Sequence, residues 1–296
     1  MSHPRADHRI KPPRRRSSVG TQILLAVLAV AWLIPLLWTL YTSLRPKEDT
    51  DKYGYFSVGG DYGLGNFFQA WTEGGFPQAL ANSVIITVPA VVIVIVLASM
   101  IAFVISRFRW KGSRVLLICF TAANLLPPQV LAAPLFTIFR LIPLPYWISD
   151  SGSLLNTYFA VIMVDVAFQL GFCTFVLSNY MSNIPTEITE AALVDGTSLG
   201  RMWRSIVLPL MRPALAALAV LETIWIYNDF FWPLLFIQNG SRLPVTTAIN
   251  SLQGLFLQNY NLIAAGAIIA LIPTAVVFIV LQRQFVAGLT LGSTKG

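Results

Sequence analysis

Charge is scarce in this chain: 11% of its 296 residues are charged, against about 25% in a typical soluble domain. With 56% hydrophobic residues, that shortage excludes an ordinary water-soluble fold. Cysteine and histidine are equally sparse, at two each. Cys119 and Cys173 both fall inside apolar stretches, where they read as small buried thiols, so neither a disulfide framework nor a metal centre is expected. His3 and His8 stand in a polar, Arg- and Pro-rich N-terminal stretch. No H-E-x-x-H zinc pattern occurs, and no lysine follows a G-x-x-x-x-G frame, so any nucleotide must be bound by another chain.

What the sequence has instead is long apolar runs. No charge falls between Arg16 and Arg45, Glu73 and Arg107, Arg114 and Arg140, or Arg242 and Arg283, and two further runs are interrupted by Asp165, Glu222 and Asp229. About 20 apolar residues cross the hydrocarbon as a helix. The expectation is an all-α polytopic membrane protein with six transmembrane helices near 22–44, 81–105, 115–139, 157–180, 213–236 and 263–281. The domains read as a basic cytoplasmic tail over 1–20, a six-helix membrane domain over 21–281 and a cytoplasmic tail over 282–296. The first span is longer than a signal-peptide core and is followed by Leu44-Arg45-Pro46, so it reads as an uncleaved anchor.

Lys and Arg fix the orientation. With both termini in the cytoplasm, 15 of the 20 basic residues lie inside, and Arg45, Lys47, Lys52, Arg140 and Arg242 lie outside. The same bias accounts for the net charge of +7 without any nucleic acid. The chain reads as a multi-pass membrane protein with both termini cytoplasmic.

The cytoplasmic loop 181–212 is the most legible segment. Pro185 suits a first helical turn, Ile188, Ala191 and Ala192 recur at helical spacing, and Gly196 can end the helix in a left-handed conformation. Ser198 then caps a second short helix that displays Met202, Trp203 and Ile206 until Pro209 stops it. Gly196-Thr197-Ser198-Leu199-Gly200 matches the G-x-S-x-G pattern of a hydrolase elbow, but that elbow needs a preceding strand and a histidine base. A helix is expected before it here, so the match reads as coincidence.

Acidic groups inside a membrane are costly and face a protein interior or an aqueous path. Asp165 and Gln169 share one face of span four, and Glu222 and Asp229 share one face of span five. Asp165, Gln169, Asn228 and Asp229 are candidates for a translocation path, and inter-helix hydrogen bonding is an equal alternative. Glu222 reads as structural. Pro127, Pro128 and Pro134, with Asn124 and Gln129, predict that span three is broken or kinked. Gly266 and Ala270 form a small-residue pair for close helix packing.

Glu190-Ala191-Ala192, Gly196, Ile206, Leu208 and Pro209 together spell EAA-x3-G-x9-I-x-LP in the loop before the penultimate span. In this the chain resembles permease subunits of ABC importers, and it is similar over most of its length to the six-span, maltose-permease-like carbohydrate branch. Further points of likeness are Ser43-Leu44-Arg45-Pro46, Asn66-Phe67, Tyr227-Asn228-Asp229-Phe230, Leu243-Pro244-Val245 and Gly288-Leu289-Thr290. Thr189 departs from the acidic residue many relatives carry. The resemblance implies that Glu190, Ala191, Ala192, Asp195 and Gly196 shape a coupling loop, together with Ile206, Leu208 and Pro209, and that Met202 and Trp203 enter a cleft of the ATPase. It implies that Gly288, Leu289 and Lys295 reach the ATPase interface. The implied partners are a second homologous permease, two ATPase subunits that bind ATP and Mg, and an external solute-binding protein. The chain itself needs no cofactor. The function implied is import of a di- or oligosaccharide. A glycerol-phosphate or polyol importer is the nearest alternative, and an ion-coupled secondary transporter a more distant one.

Overall fold

The computed structural model describes residues 19–108, 110, 112–255 and 259–290, with the backbone alone for 251, 253–255 and 283–290. Within these residues the chain is helical throughout its ordered elements. An isolated bridge between Pro143 and Ser153 is the one extended pairing among them.

Four unbroken helices are long and apolar enough to cross a membrane. They are α1 (Val19–Leu44), α4 (Phe76–Arg107), α7 (Tyr158–Met181) and α14 (Tyr260–Thr290). Between α1 and α4 lie two short helices, α2 (Lys47–Tyr53) and α3 (Gly65–Thr72). α4 begins five residues before the expected position, where Gly75 turns the chain at φ +66° and Pro77 sits in the first turn; proline costs least there. Thr157 caps α7, its Oγ1 accepting the Ala160 N–H at 3.2 Å.

Span three is broken, as its prolines require. α5 (Ser113–Ala123) and α6 (Ala132–Leu141) are joined through a short 3₁₀ turn, and the two halves bend by 94°. Span five also differs from a single rod: α11 (Arg212–Tyr227) stops at Asn228, and α12 (Phe231–Phe236) restarts the helix. The cause is local. Pro233 has no N–H to give the Asp229 carbonyl four residues back, which accepts from Thr246 Oγ1 at 2.8 Å instead, while the Asp229 side chain takes the Phe231 N–H at 3.1 Å. α13 (Val245–Leu255) covers this end. At the C-terminus the α14 backbone stays helical to Thr290, without a break near 282.

α4 and α7 make the most extensive helix pair, and α11 packs on both α4 and α14, while α1 leans on α14 at the periphery. Ala90, Val94, Ala98 and Ala102 recur every fourth residue of α4 and are fully buried. Small side chains at that spacing let helix backbones approach closely, which drives association where lipid is the solvent. Gly171 serves the same end on α7, since a Cβ there would lie 2.6 Å from the Phe120 carbonyl of α5. Gly266 is the corresponding contact on α14, lying against Phe76. Cys119 is exposed on α5 rather than buried, because α5 turns that face away from α7.

Candidate functional site: the loop helices and the buried carboxylates

The loop between α7 and α11 forms a knob. α8 (Thr186–Val194) starts after Pro185 and ends at Gly196, whose φ is +72°. The Gly196 N–H meets the Leu193 carbonyl and the Thr197 N–H the Ala192 carbonyl, each at 3.0 Å. This paired closure is the Schellman arrangement, which needs a left-handed residue and so favours glycine. α8 turns Thr189 and Ala192 inward; Glu190, Ala191 and Asp195 face out beside Ile188, Leu193 and Val194. Val194 is 87% exposed.

The second half of the knob differs from expectation. Ser198 stands before α9 (Leu199–Met202) without a side-chain cap bond. The chain then widens into a π turn over 203–207 and passes through Pro209 into α10 (Leu208–Leu210). Pro209 therefore does not stop the helix. A widened turn removes the register in which a proline ring meets the carbonyl four residues back, and the chain bends at Met211 instead, by 79°.

Met202 is corrected more sharply. It is 1% exposed and packs into the main core with Val207 and Met211, so it faces the membrane helices and is not displayed. Trp203 is half-buried and, with Phe103, Phe108, Leu199 and Gly200, lines an apolar cavity of about 180 Å³. Ile206 also leans on the core, and Leu208 and Pro209 are half-buried. Apolar groups that face outward include Ile188, Leu193, Val194 and Leu199 on the α8–α9 side, and Leu210 at the end of α10. Arg107, at the end of α4, donates to the Met181 and Ile184 carbonyls at 3.1–3.2 Å and so fixes the entry to the knob. The knob is thus welded to the helix core on one side and bare on the other. The G-x-S-x-G segment follows helix α8, not a strand, and His3 and His8 lie outside the described residues.

The structure brings the membrane acids into one neighbourhood. Asp165 on α7 is buried and lies in the electrostatic field of Asp229 and Glu222. Glu222 is fully buried, and its Oε1 accepts from Cys173 Sγ at 3.1 Å, so this thiol does more than fill space. Among the described residues, one oxygen each of Asp165, Glu222 and Asp229 has no hydrogen-bond partner. Asp229 holds the break between α11 and α12 through the bond to Phe231 described above. Asn228 is exposed and donates to the Ile224 carbonyl at 2.7 Å, while Gln169 is half-buried on α7. Gly288 and Leu289 belong to the helical backbone of α14, and Lys295 lies outside the described residues.

A feature not anticipated from the sequence sits at the opposite end of the helices. Arg45, 1% exposed, donates to Asp49 at 2.7–2.8 Å and to the Gly54 and Ser57 carbonyls. Asn66 donates to the Ser43 and Arg45 carbonyls, and Asn261 to Thr42, Arg45 and Thr50. The signal available was Ser43-Leu44-Arg45-Pro46 and Asn66, quoted above only as points of likeness. Nearby, Asn82 joins Tyr158 to the Ser241 and Leu243 carbonyls.

The chain was compared with known proteins. It is 28% identical over 97% of its length, and all of the relative's, to the melibiose/raffinose/stachyose import permease protein MelC of Bacillus subtilis. It is 30% identical to the arabinooligosaccharides transport system permease protein AraQ of Halalkalibacterium halodurans, covering 92% of this chain and 94% of the relative. The same identity, over 92% of this chain and 91% of the relative, links it to the osmoprotective compounds uptake permease protein GgtD of Synechocystis. Among solved structures, a bacterial ABC transporter involved in the import of alginate superposes with a TM-score of 0.73 at 22% identity, covering 93% of this chain and all of that one. The family model for the binding-protein-dependent transport system inner membrane component matches residues 94–290. The chain therefore belongs to that family, and it is a multi-pass membrane permease subunit of an ABC transporter, not a catalyst.

Proposed function

We propose that this subunit carries a di- or oligosaccharide into the cytoplasm by alternating access, driven by ATPase subunits that dock on the knob. The observation that carries the reading is the two-sidedness of 185–210: a bare rim of Ile188, Leu193, Val194 and Leu199 around Glu190 and Asp195, and an inner side buried in the helix core. A movement of a bound motor would be passed to α4, α7 and α11 as rigid-body rotation, because packed cores shift between discrete arrangements. ATP and Mg would be held by those ATPase chains, with a second related permease completing the path and a loaded solute-binding protein docking on the other face. Both termini would be cytoplasmic, with the end of α14 beyond Gly288 and Leu289, towards Lys295, reaching the ATPase pair. The carbohydrate substrate rests on the saccharides for which MelC and AraQ are named.

A second reading, import of a polyol or other small compatible solute, is favoured by one relative named for osmoprotective compounds. The test is ATP hydrolysis by the complex in lipid, with its binding protein and a panel of saccharides, polyols and glycerol phosphates. Stimulation by one loaded binding protein identifies the solute class. A complex that forms without an ATPase, and transports without ATP, would overturn the proposal in favour of ion coupling through Asp165 or Glu222.

A further inference from the structure

Residues 53–60, between Lys52 and Asp61, carry no charge, and the segment 54–60 folds back along the end of α1. The Phe56 ring stacks on Trp38 with centroids 5.7 Å apart, about 9 Å before the Leu44 end of the helix at 1.5 Å per residue. Tyr41, one turn nearer that end, donates its hydroxyl to the Ser57 carbonyl at 3.0 Å and accepts the Gly59 N–H at 3.1 Å. Arg45 donates to the Gly54 and Ser57 carbonyls at 3.2 and 3.1 Å and to Ser57 Oγ at 2.9 Å. The side chains alternate around this backbone. Tyr55 turns in against Tyr260, while Phe56 and Val58 point out, each 86% exposed.

A loop tip in water has no need to satisfy its carbonyls internally, whereas backbone near lipid does. Here the carbonyls of Gly54 and Ser57 and the N–H of Gly59 are taken up by Arg45 and Tyr41, and the side chains that point outward from the tip, Phe56 and Val58, are apolar. The tip lies at the level of Trp38 and Tyr41, and rings of that kind concentrate at the membrane–water boundary. Leu36, Leu37 and Leu40, at the same level of the membrane helix, are exposed as well.

We propose that Phe56 and Val58 insert into the boundary between headgroups and acyl chains of the leaflet at the Leu44 end of α1, with Arg45 as the positioning residue that holds the loop against the helix. The bound surface is lipid, and the loop gives the permease a fixed point in that leaflet, next to the α1–α14 contact. The inference uses the membrane reading of α1 and is independent of the transported solute.

The experiment is site-directed spin labelling of the assembled transporter in lipid nanodiscs. Phe56→Cys, Val58→Cys and Asp61→Cys are made in a Cys119→Ala background; Cys173 is buried, and the unsubstituted background reports any label it takes. The expected result is that labels at 56 and 58 collide with oxygen, which concentrates in lipid, more than with a water-soluble nickel chelate, and that the label at 61 shows the reverse. Adding Arg45→Gln should move labels 56 and 58 toward the water pattern. Nickel collisions dominating at both 56 and 58 would overturn the proposal. So would exclusion of both reagents with an immobilised label, which would mean a protein partner covers the tip.

Discussion

At the Leu44 end of α1, a buried arginine and two buried asparagines tie together chain segments as far as 219 residues apart. On the opposite side of the membrane helices, the knob closes itself with bonds between near neighbours, such as Thr197 to Ala192 and Thr189 to Thr186. The first region turns its polar donors inward onto oxygens of the same chain. The second keeps its internal bonds local and leaves charged and apolar groups bare on one face. A surface built in the second way is suited to a partner, and one built in the first way sets the geometry of the helices that the partner must move.

The sharpest way to break this comparison is Arg45→Met. It leaves Asp49 buried beside lost carbonyl bonds, and removing one member of a buried pair costs about 3–5 kcal/mol. The thermal midpoint of the solubilised complex should fall markedly; an unchanged midpoint would show that the clamp holds nothing. At the knob the contrast should invert. Glu190→Lys, and separately Gly196→Asp, should cut binding-protein-stimulated ATP hydrolysis by about a hundredfold, or about 2.8 kcal/mol. The fold should lose no more than about 1–2 kcal/mol from the left-handed position. Full stimulation in both variants would remove the coupling role from this loop.

Smaller effects sharpen the picture. Asn261→Ala should cost about 1–3 kcal/mol, and less than additively with Asn66→Ala, because both side chains bond the Arg45 carbonyl and groups in one network couple. Additive losses in chemical denaturation would mean two independent contacts. Asp229→Asn keeps an oxygen for the Phe231 N–H and should change stability by less than about 1 kcal/mol. An altered uptake rate with the ATPase still bound would then assign Asp229 to the solute path, and loss of assembly would assign it to structure.

How much of this was legible follows from the range of the interactions. α8, its glycine closure and the broken third span could be read because proline, glycine and short helical spacing act within a few residues. The break in span five needed Pro233 to be weighed with Thr246, which lies in another element. The inward side of Met202 depended on a π turn that no residue pattern announced. Arg45 was read as one more charge outside the membrane, because a lone arginine at the end of a span carries no mark of the carbonyls that will close around it. Cys119 and Cys173 looked alike in sequence, and packing separated them into an exposed and a buried thiol.

On this reading the bare rim of the knob, and not its buried side, should meet the ATPase. Cysteine cross-linking in the assembled transporter tests this directly, with Val194→Cys and Met202→Cys each placed in a Cys119→Ala background and treated with a short bifunctional thiol reagent. A cross-link to the ATPase chain from position 194, changing in yield when nucleotide is added, and none from position 202 is the predicted result. A cross-link from position 202 with none from 194 would contradict it.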